Sequence, residues 1–491
     1  MKFTKKHIPW IPVLLGTLFR LVQYLSNRNM TIDESNYALL FEEMSFKEIL
    51  LEFKFPYPAP YGFIAIQKSL ASLIANNEYV LRFYPLLAGI LSLFLLNRIK
   101  DHFTKSWGGV VALSLFATCP YVIYYSSLGK PYSSDVLIAL WLTWLGLRIH
   151  ASQLKYKSII LFGLGGAIAT WFSFPAIFVL SAIFLACVRE YIQNKEWRNL
   201  KIFALISMIG ALGFVFHYFC EVPENITSSK TWTFWFKHKN PLIFEPSSLF
   251  SYIKWGLSSF DGIFVDPAGL SLPFLGIFFF FLGCYAIFAS SKFKFLLLVL
   301  PILLTAAATI AKKYPFNGRL ILFLLPSLFL LIGAGWEYFY NQEKRFNKKP
   351  FISFLLLILL LFPSFQRAFN NLVDPIKSPE IKQVMLYIKE HMKKGDAIYI
   401  HTKATTPFKY YQKRIKIPSN VIVAGSPEAG YNPDKTVSDI NQLSKLKRAW
   451  IIFGPINAFE RRRIFYLVNQ KARRRRNFRA KHSSCHLFEF F

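Results

Sequence analysis

The chain has 491 residues, 54% of them hydrophobic, 18% aromatic and 17% charged, with 58 Lys and Arg against 27 Asp and Glu for a net charge of +31. Soluble proteins average about 25% charged and about 45–50% apolar residues, so a single soluble core is excluded, and 52 Phe and 24 Tyr exclude intrinsic disorder. What remains is a polytopic membrane protein, whose positive charge reflects basic cytoplasmic loops and anionic headgroups rather than nucleic acid.

Lys2, Lys5 and Lys6 precede an apolar run over 8–25 that lacks a small-residue cleavage site and reads as a retained span. A loop over 28–78 follows. Within it, 61–75 is apolar but short and interrupted by Lys68, so it is placed along the interface rather than across the bilayer. Spans are expected at 79–96, 107–125, 132–149, 158–174, 175–192 and 202–219. After a second long loop over 221–267 they resume at 268–289, 295–311, 320–339 and 351–365, about 11 transmembrane helices in all.

Sidedness follows from the basic residues. With the N-terminus cytoplasmic, the inside loops hold Arg98, Lys100 and Lys105, then Lys155 and Lys157, then Arg189, Lys195, Arg198 and Lys201, then Lys292 and Lys294, then Lys344, Arg345, Lys348 and Lys349. Counting 61–75 as a full span would put these loops outside. The outer face then receives the loops over 28–78 and 221–267, the turn around Lys130, and everything after 370. Lys130 and the group Lys312, Lys313 and Arg319 are basic on the wrong side, and that exception requires a reason other than topology.

Residues 371–491 are a different material, with 24 Lys and Arg against 9 Asp and Glu. A helix is predicted over 379–394, a strand over 397–401, a helix over 407–413, and short strands over 421–424 and 450–453 with 439–446 between them. The expected organisation is a helical membrane module over 1–370 and a small basic α/β extracytoplasmic domain over 371–491, with a partly parallel sheet and no glycine-rich phosphate loop.

The sharpest chemical feature is Asp33-Glu34, just beyond the first span. Thr31 and Asp33 are good helix N-cap types, so the pair has a structural reading as well as a chemical one. A carboxylate near the hydrocarbon boundary has its charged form disfavoured, which moves it toward proton-accepting range. Opposite in charge are Lys130, in Gly129-Lys-Pro-Tyr132, the run from Lys312 and Lys313 to Arg319, and Arg82, which has Glu78 four residues before it. An outer lysine commonly only snorkels. Taken together, however, a carboxylate and several cations at helix ends on one leaflet suit an acceptor hydroxyl and a phosphate leaving group.

The order of these pieces resembles the C-type glycosyltransferases, multi-spanning enzymes that take a sugar from a polyprenyl phosphate, in particular the family 39-like protein O-mannosyltransferases and lipid A aminoarabinose transferases. The resemblance rests on the acidic pair Asp33-Glu34, the segment Pro58-Ala-Pro-Tyr-Gly-Phe63, the span opening with Arg82, the motif Lys130-Pro-Tyr132, and Tyr314-Pro-Phe-Asn-Gly-Arg319 leading to Pro326, and covers roughly 1–370. It implies Asp33 as general base on the acceptor, with Glu34 assisting. It also implies Lys130, Tyr132 and Arg319 on the donor phosphate, with Arg82, Lys312 and Lys313 as further candidates, and Tyr57 and Tyr61 in the acceptor pocket. Where related sequences have His-Pro-Pro-Leu or Gln-x-Ala-Pro, this one has Tyr57-Pro-Ala-Pro60, and it lacks an acid near Leu128. The implied partners are a polyprenyl-phosphate-linked sugar, a lipid, glycan or protein acceptor, and membrane lipids. The implied location is a bacterial inner membrane.

Other signals favour plainer readings. Of nine scattered histidines only His482 and His486 stand at His-x-x-x-His spacing, with no third histidine nearby in sequence to complete a set, so neither a zinc site nor another cofactor is expected, and a divalent ion at Asp33 and Glu34 has no further support. Asn225-Ile-Thr227 matches a glycosylation acceptor but is a bare sequon. His217 within a span reads as a core residue. The arginine runs at 461–463 and 473–476 read as solvated or lipid-facing surface, since base-stacking aromatics are sparse there. A transporter or flippase is the rival from another class, although its usual internal symmetry is missing; a glycan ligase would share the same architecture.

Overall fold

The structure, a computed structural model, describes residues 7–52, 55–151, 156–221, 236, 240–244, 248–346, 349–425 and 433–491. The sequon at 225–227 lies outside the described residues, as does the side chain of His217. Helices follow in chain order as α1 (Trp10–Leu25), α2 (Ile32–Glu43), α3 (Phe46–Leu50), α4 (Tyr61–Leu73), α5 (Glu78–Ile99), α6 (Gly108–Thr118), α7 (Pro120–Tyr125), α8 (Tyr132–Ala151), α9 (Tyr156–Phe172), α10 (Ala176–Gln193) and α11 (Trp197–Glu221). They continue with α12 (Pro241–Phe244), α13 (Leu249–Val265), α14 (Pro273–Ser290), α15 (Lys292–Ile310), α16 (Leu325–Arg345) and α17 (Phe351–Val373).

Helix occupies each of the stretches expected to span. By length and composition, 7 of the described helices can cross a membrane, those starting at Glu78, Ala176, Trp197, Pro273, Lys292, Gly318 and Phe351; α1, α6 and most of α9 are apolar but shorter. The expected span over 107–125 is broken in two at Cys119. Pro120 has no N–H to offer the Phe116 carbonyl, so the helix cannot run through. The freed carbonyls are met from another helix. Arg20 of α1, fully buried, donates to Gly16 O at 2.8 Å and to Phe116 O and Ala117 O, each at 3.4 Å. The helix in the second long loop, α13, is an element that the charge-based reading passed over, because Lys254 and Asp261 interrupt an otherwise apolar run.

The chain divides into two compact units. The first comprises residues 1–25, 46–69 and 82–375; the second comprises 26–45, 70–81 and 376–491. The loop expected to belong wholly to the membrane module is thus divided, with α2 grouped with the C-terminal residues.

In the first unit the tightest pairing is between α14 and α16. A Cβ on Gly283 would sit 1.8 Å from Leu331 O and one on Gly335 1.9 Å from Phe279 O, so both positions exclude any side chain and let the two backbones touch. Further along α16, Glu337 accepts from the backbone N–H groups of Lys105 and Gly108 at 3.1 and 3.0 Å, satisfying donors at the start of α6.

In the second unit, α18 (Ile381–His391), α19 (Thr405–Ile415), α20 (Pro433–Leu443) and α21 (Ala458–Asn469) accompany five strands: β1 (Ala397–Ile400), β2 (Ile422–Ala424), β3 (Arg448–Phe453), β4 (Ala472–Ala480) and β5 (Ser483–Phe490). Sheet order is β2-β1-β3-β5-β4. The first three strands are parallel, as the alternating pattern implied, and β5 and β4 close the sheet antiparallel. The β4–β5 hairpin and α21 go beyond what the sequence pattern indicated. Arg473 to Arg476 are exposed on the edge strand β4, where a row of charge discourages pairing with another chain.

Candidate functional site

In the second unit the acidic pair opens α2. Thr31 is the N-cap, and its Oγ1 accepts from Glu34 N at 3.2 Å while Glu34 Oε2 accepts from Thr31 N at 2.9 Å, a complete capping box. The same Glu34 oxygen accepts from Arg28 Nη1 at 3.1 Å, and Arg28 also donates to Ser378 Oγ at 2.6 Å. The side chains of Arg28 and Glu34 are both buried. Glu34 is therefore committed to holding the turn. Asp33, half-buried one residue earlier, stands outside the capping box, in the first turn of α2.

The rest of α2 is fastened to α19. Tyr37, Ala38 and Phe41 are buried. Met30 N donates to Tyr411 Oη at 2.9 Å, and that hydroxyl donates onward to Glu78 Oε1 at 2.8 Å. Burial, then the neighbouring Glu78 carboxylate, raise the Tyr411 hydroxyl far above the ordinary tyrosine range, so it stays a donor. Asn76 Nδ2 holds the Ala38 carbonyl at 2.7 Å, and Arg414 pairs with Glu42 at 2.9 Å. Position 33 is thus displayed by an element pinned at both ends.

In the first unit the cations gather at the start of α8. Lys130, 8% exposed, has its ammonium 5.9 Å from the ring centroid of Tyr57. Two residues on, Tyr132 begins α8, and the Arg319 guanidinium lies over its ring at 5.3 Å. Tyr125 meets Tyr132 edge to face at 5.2 Å. Lys130 thus precedes, and Arg319 lies over, the first residue of a 20-residue helix, where the dipole adds to the positive potential.

Arg319 is presented by a built turn. After α15, Lys312 adopts a left-handed conformation at φ 58°, and its N–H returns to Thr309 O at 2.8 Å, as in a helix C-terminal cap. Thr309 Oγ1 donates to Tyr314 O at 2.6 Å, and Tyr314 Oη donates to Leu320 O at 2.7 Å. Tyr314 packs edge to face on Phe178 at 5.2 Å. Lys312 is half-buried within this turn and Lys313 is exposed.

The structure thus groups Lys130, Tyr132, Arg319 and Tyr57. Arg82 is 1% exposed within α5, and Tyr61, 3% exposed, is the first residue of α4. One residue of the same motif escaped the sequence reading: Asp135, buried in the first turn of α8, with an Oδ1 that has no hydrogen-bond partner among the described residues. Its signal was an acid three residues into an apolar span.

Comparison with known proteins places these features. Residues 59–218 match the family described as dolichyl-phosphate-mannose-protein mannosyltransferase, a stretch that includes Tyr61, Arg82, Lys130 and Tyr132 but neither Asp33 nor Arg319. The fold is similar to that of the archaeal oligosaccharyltransferase AglB from Archaeoglobus fulgidus, solved with an inhibitory peptide and a dolichol-phosphate, at TM-score 0.54 and 10% identity over 98% of this chain and 74% of that one. It is also similar to ArnT from Cupriavidus metallidurans in the apo state, at TM-score 0.52 and 12% identity over 97% of each chain. No curated protein sequence matches the chain. Fold and family match together bear out the resemblance to C-type glycosyltransferases that work from polyprenyl-phosphate-linked donors.

Proposed function

We propose that this chain, with the C-type glycosyltransferase fold and the mannosyltransferase family pattern over 59–218, moves a sugar from a polyprenyl-phosphate donor to an acceptor hydroxyl at the outer face of a bacterial inner membrane. The observation that carries the reading is the Arg319 guanidinium over the ring of Tyr132 at the start of α8, with Lys130 two residues before that helix in the chain. Two cations and a helix N-terminus form a ready receptor for a phosphate held at the membrane boundary.

The chemistry follows from charge. The acceptor oxygen attacks the anomeric carbon, and the bond from that carbon to the phosphate oxygen breaks. The electron pair leaves on the phosphate. The acceptor proton passes to the Asp33 carboxylate. Negative charge grows on the leaving oxygens, where Lys130 and Arg319 act, with Arg82, Lys312 and Lys313 raising the surrounding potential. One preorganised contact of this kind is commonly worth about 3 kcal/mol in the barrier. Because the attack displaces the phosphate directly, the anomeric configuration inverts and no glycosyl-enzyme intermediate forms. Glu34 contributes by fixing the turn that displays Asp33. Tyr57 and Tyr61 border the acceptor path, and the C-terminal residues contribute to acceptor docking.

The test uses membranes containing the protein and a labelled polyprenyl-phosphate sugar. Consumption of donor without ATP, lost in Arg319→Ala and Lys130→Ala, is the expected result. Movement of intact lipid with its glycosidic bond unbroken would make the protein a flippase instead.

A further inference from the structure

In the second unit, α18 and the C-terminal end of α19 bound a cavity of about 450 Å³, within the size range of small-molecule sites. Lys382, Leu386 and Lys389 line it from α18, at a spacing that puts them on one face of that helix. Arg414, Ile415 and Lys416 line it from the end of α19, where Lys416 caps the helix in the left-handed conformation at φ 61°. Lys389 Nζ donates to Ile415 O at 2.7 Å and so fastens the two walls together.

The cavity carries an excess of positive charge. Glu78 is the one acid among its described lining residues, and its two carboxylate oxygens already accept from the hydroxyls of Tyr411 at 2.8 Å and Tyr410 at 3.4 Å. Outside the lining, Glu42 pairs with Arg414 at 2.9 Å and with Lys413 at 3.6 Å. Lys382 lies over the Tyr411 ring at 5.7 Å, and among the described residues no carboxylate pairs with Lys382, Lys389 or Lys416. Four lining cations against Glu78 and Glu42 leave an excess of two positive charges. Like charges gathered in this way repel one another, a cost that an anion bound among them removes.

We infer that this cavity binds a phosphomonoester, with the ammonium groups of Lys382, Lys389 and Lys416 on its oxygens. Such a group carries about 1.5–2 negative charges near neutral pH and three acceptor oxygens, which match the excess charge and the three lysines. Lys389 keeps two N–H donors beyond the one it gives to Ile415 O. Leu386, 48% exposed, adds an apolar contact for the carbon chain of the ester. An enclosed space of this size holds one such group, whereas an extended acidic peptide needs an open groove or a sheet edge. The same chemistry is presented by a soluble phosphate ester and by the headgroup of phosphatidic acid. The inference is independent of the donor reading above.

The test follows thermal unfolding of the full-length protein in phosphatidylcholine nanodiscs, where a ligand of the folded state raises the midpoint. The probes are glycerol 3-phosphate in solution and phosphatidic acid mixed into the bilayer, each beside its phosphate-free counterpart, glycerol or diacylglycerol. At least one phosphate probe should raise the midpoint while its counterpart does not. A response to glycerol 3-phosphate assigns a soluble ester, and a response to phosphatidic acid alone assigns the lipid headgroup. Lys382→Gln and, independently, Lys416→Gln should each lower the affinity about tenfold, and Lys382→Arg should keep it. Lys394→Gln and Lys409→Gln remove the same charge from exposed positions outside the cavity and should change it by less than about twofold. No shift with either phosphate probe, equal losses in the cavity and control variants, or tighter binding of a polyglutamate peptide than of both probes would each overturn the inference.

Discussion

Arg319 stacks its guanidinium on the ring of Tyr132, 5.3 Å from the centroid, and so ties the turn after α15 to the first residue of α8. A lysine at this position keeps the charge but not the planar stack or the forked donors. Arg319→Ala should lower turnover of the donor by about 10²–10³, and Arg319→Lys should recover little of it. Single-turnover measurement of donor consumption checks this, and full activity in the lysine variant would show that only charge is needed there.

The two adjacent acids should respond to mutation in opposite ways. Glu34 is buried, completes the capping box and pairs with Arg28 at 3.1 Å, so Glu34→Ala leaves a buried guanidinium uncompensated and should cost about 3–5 kcal/mol in stability. Asp33 lies outside the capping box and is half-buried, so Asp33→Asn should fold and insert normally yet lower transfer by about 10²–10⁴. Thermal unfolding and transfer assays on both variants separate the roles. A stable, inactive Glu34→Ala would reverse the assignment.

How far these features were legible depends on how local their cause is. A bilayer demands about 20 consecutive apolar residues, so each expected span coincides with helix. The break at Cys119 was visible only as Pro120, because the compensating partner, Arg20, lies nearly a hundred residues earlier. The β4 strand escaped because Arg473 to Arg476 have no apolar alternation; β4 is held by pairing with β5, a contact set by tertiary structure. The cations were legible as departures from the expected pattern of basic inside loops, and the acidic pair by its place just after the first apolar run.

The hydroxyl of Tyr411 joins two segments of the second unit, accepting from Met30 N at 2.9 Å and donating to Glu78 at 2.8 Å. Tyr411→Phe keeps the ring and removes both bonds, leaving a buried N–H and a buried carboxylate short of a partner. The expected cost is about 1–3 kcal/mol, concentrated at the entry to α2. Hydrogen exchange should show faster exchange at Met30 and the first turn of α2, with the strands β1 and β3 unaffected. Uniform acceleration across the unit would mean that Tyr411 acts through the whole fold instead.

The second unit also carries a pH sensitivity whose direction is fixed by burial. His486 on β5 is 1% exposed, with its Nε2 3.2 Å from Ser484 Oγ. Burial, then the charges of Arg474, Arg479 and Arg461, push its pKa down to about 4. An unfolded chain holds this histidine near the ordinary value of about 6.5. Between these two values the unfolded state binds a proton that the folded state refuses, so stability is full above about pH 6.5 and falls as the pH drops toward 4. Buried His401, with Nε2 3.1 Å from Glu460 Oε1, is shifted the same way by burial, although Glu460 opposes the shift. His486 alone should account for roughly 3 kcal/mol across the window. Acid titration of the unfolding midpoint should therefore show a drop below pH 6.5, and His486→Gln, which cannot titrate, should flatten it. An unchanged slope in that variant would assign the sensitivity to His401 or to the carboxylates.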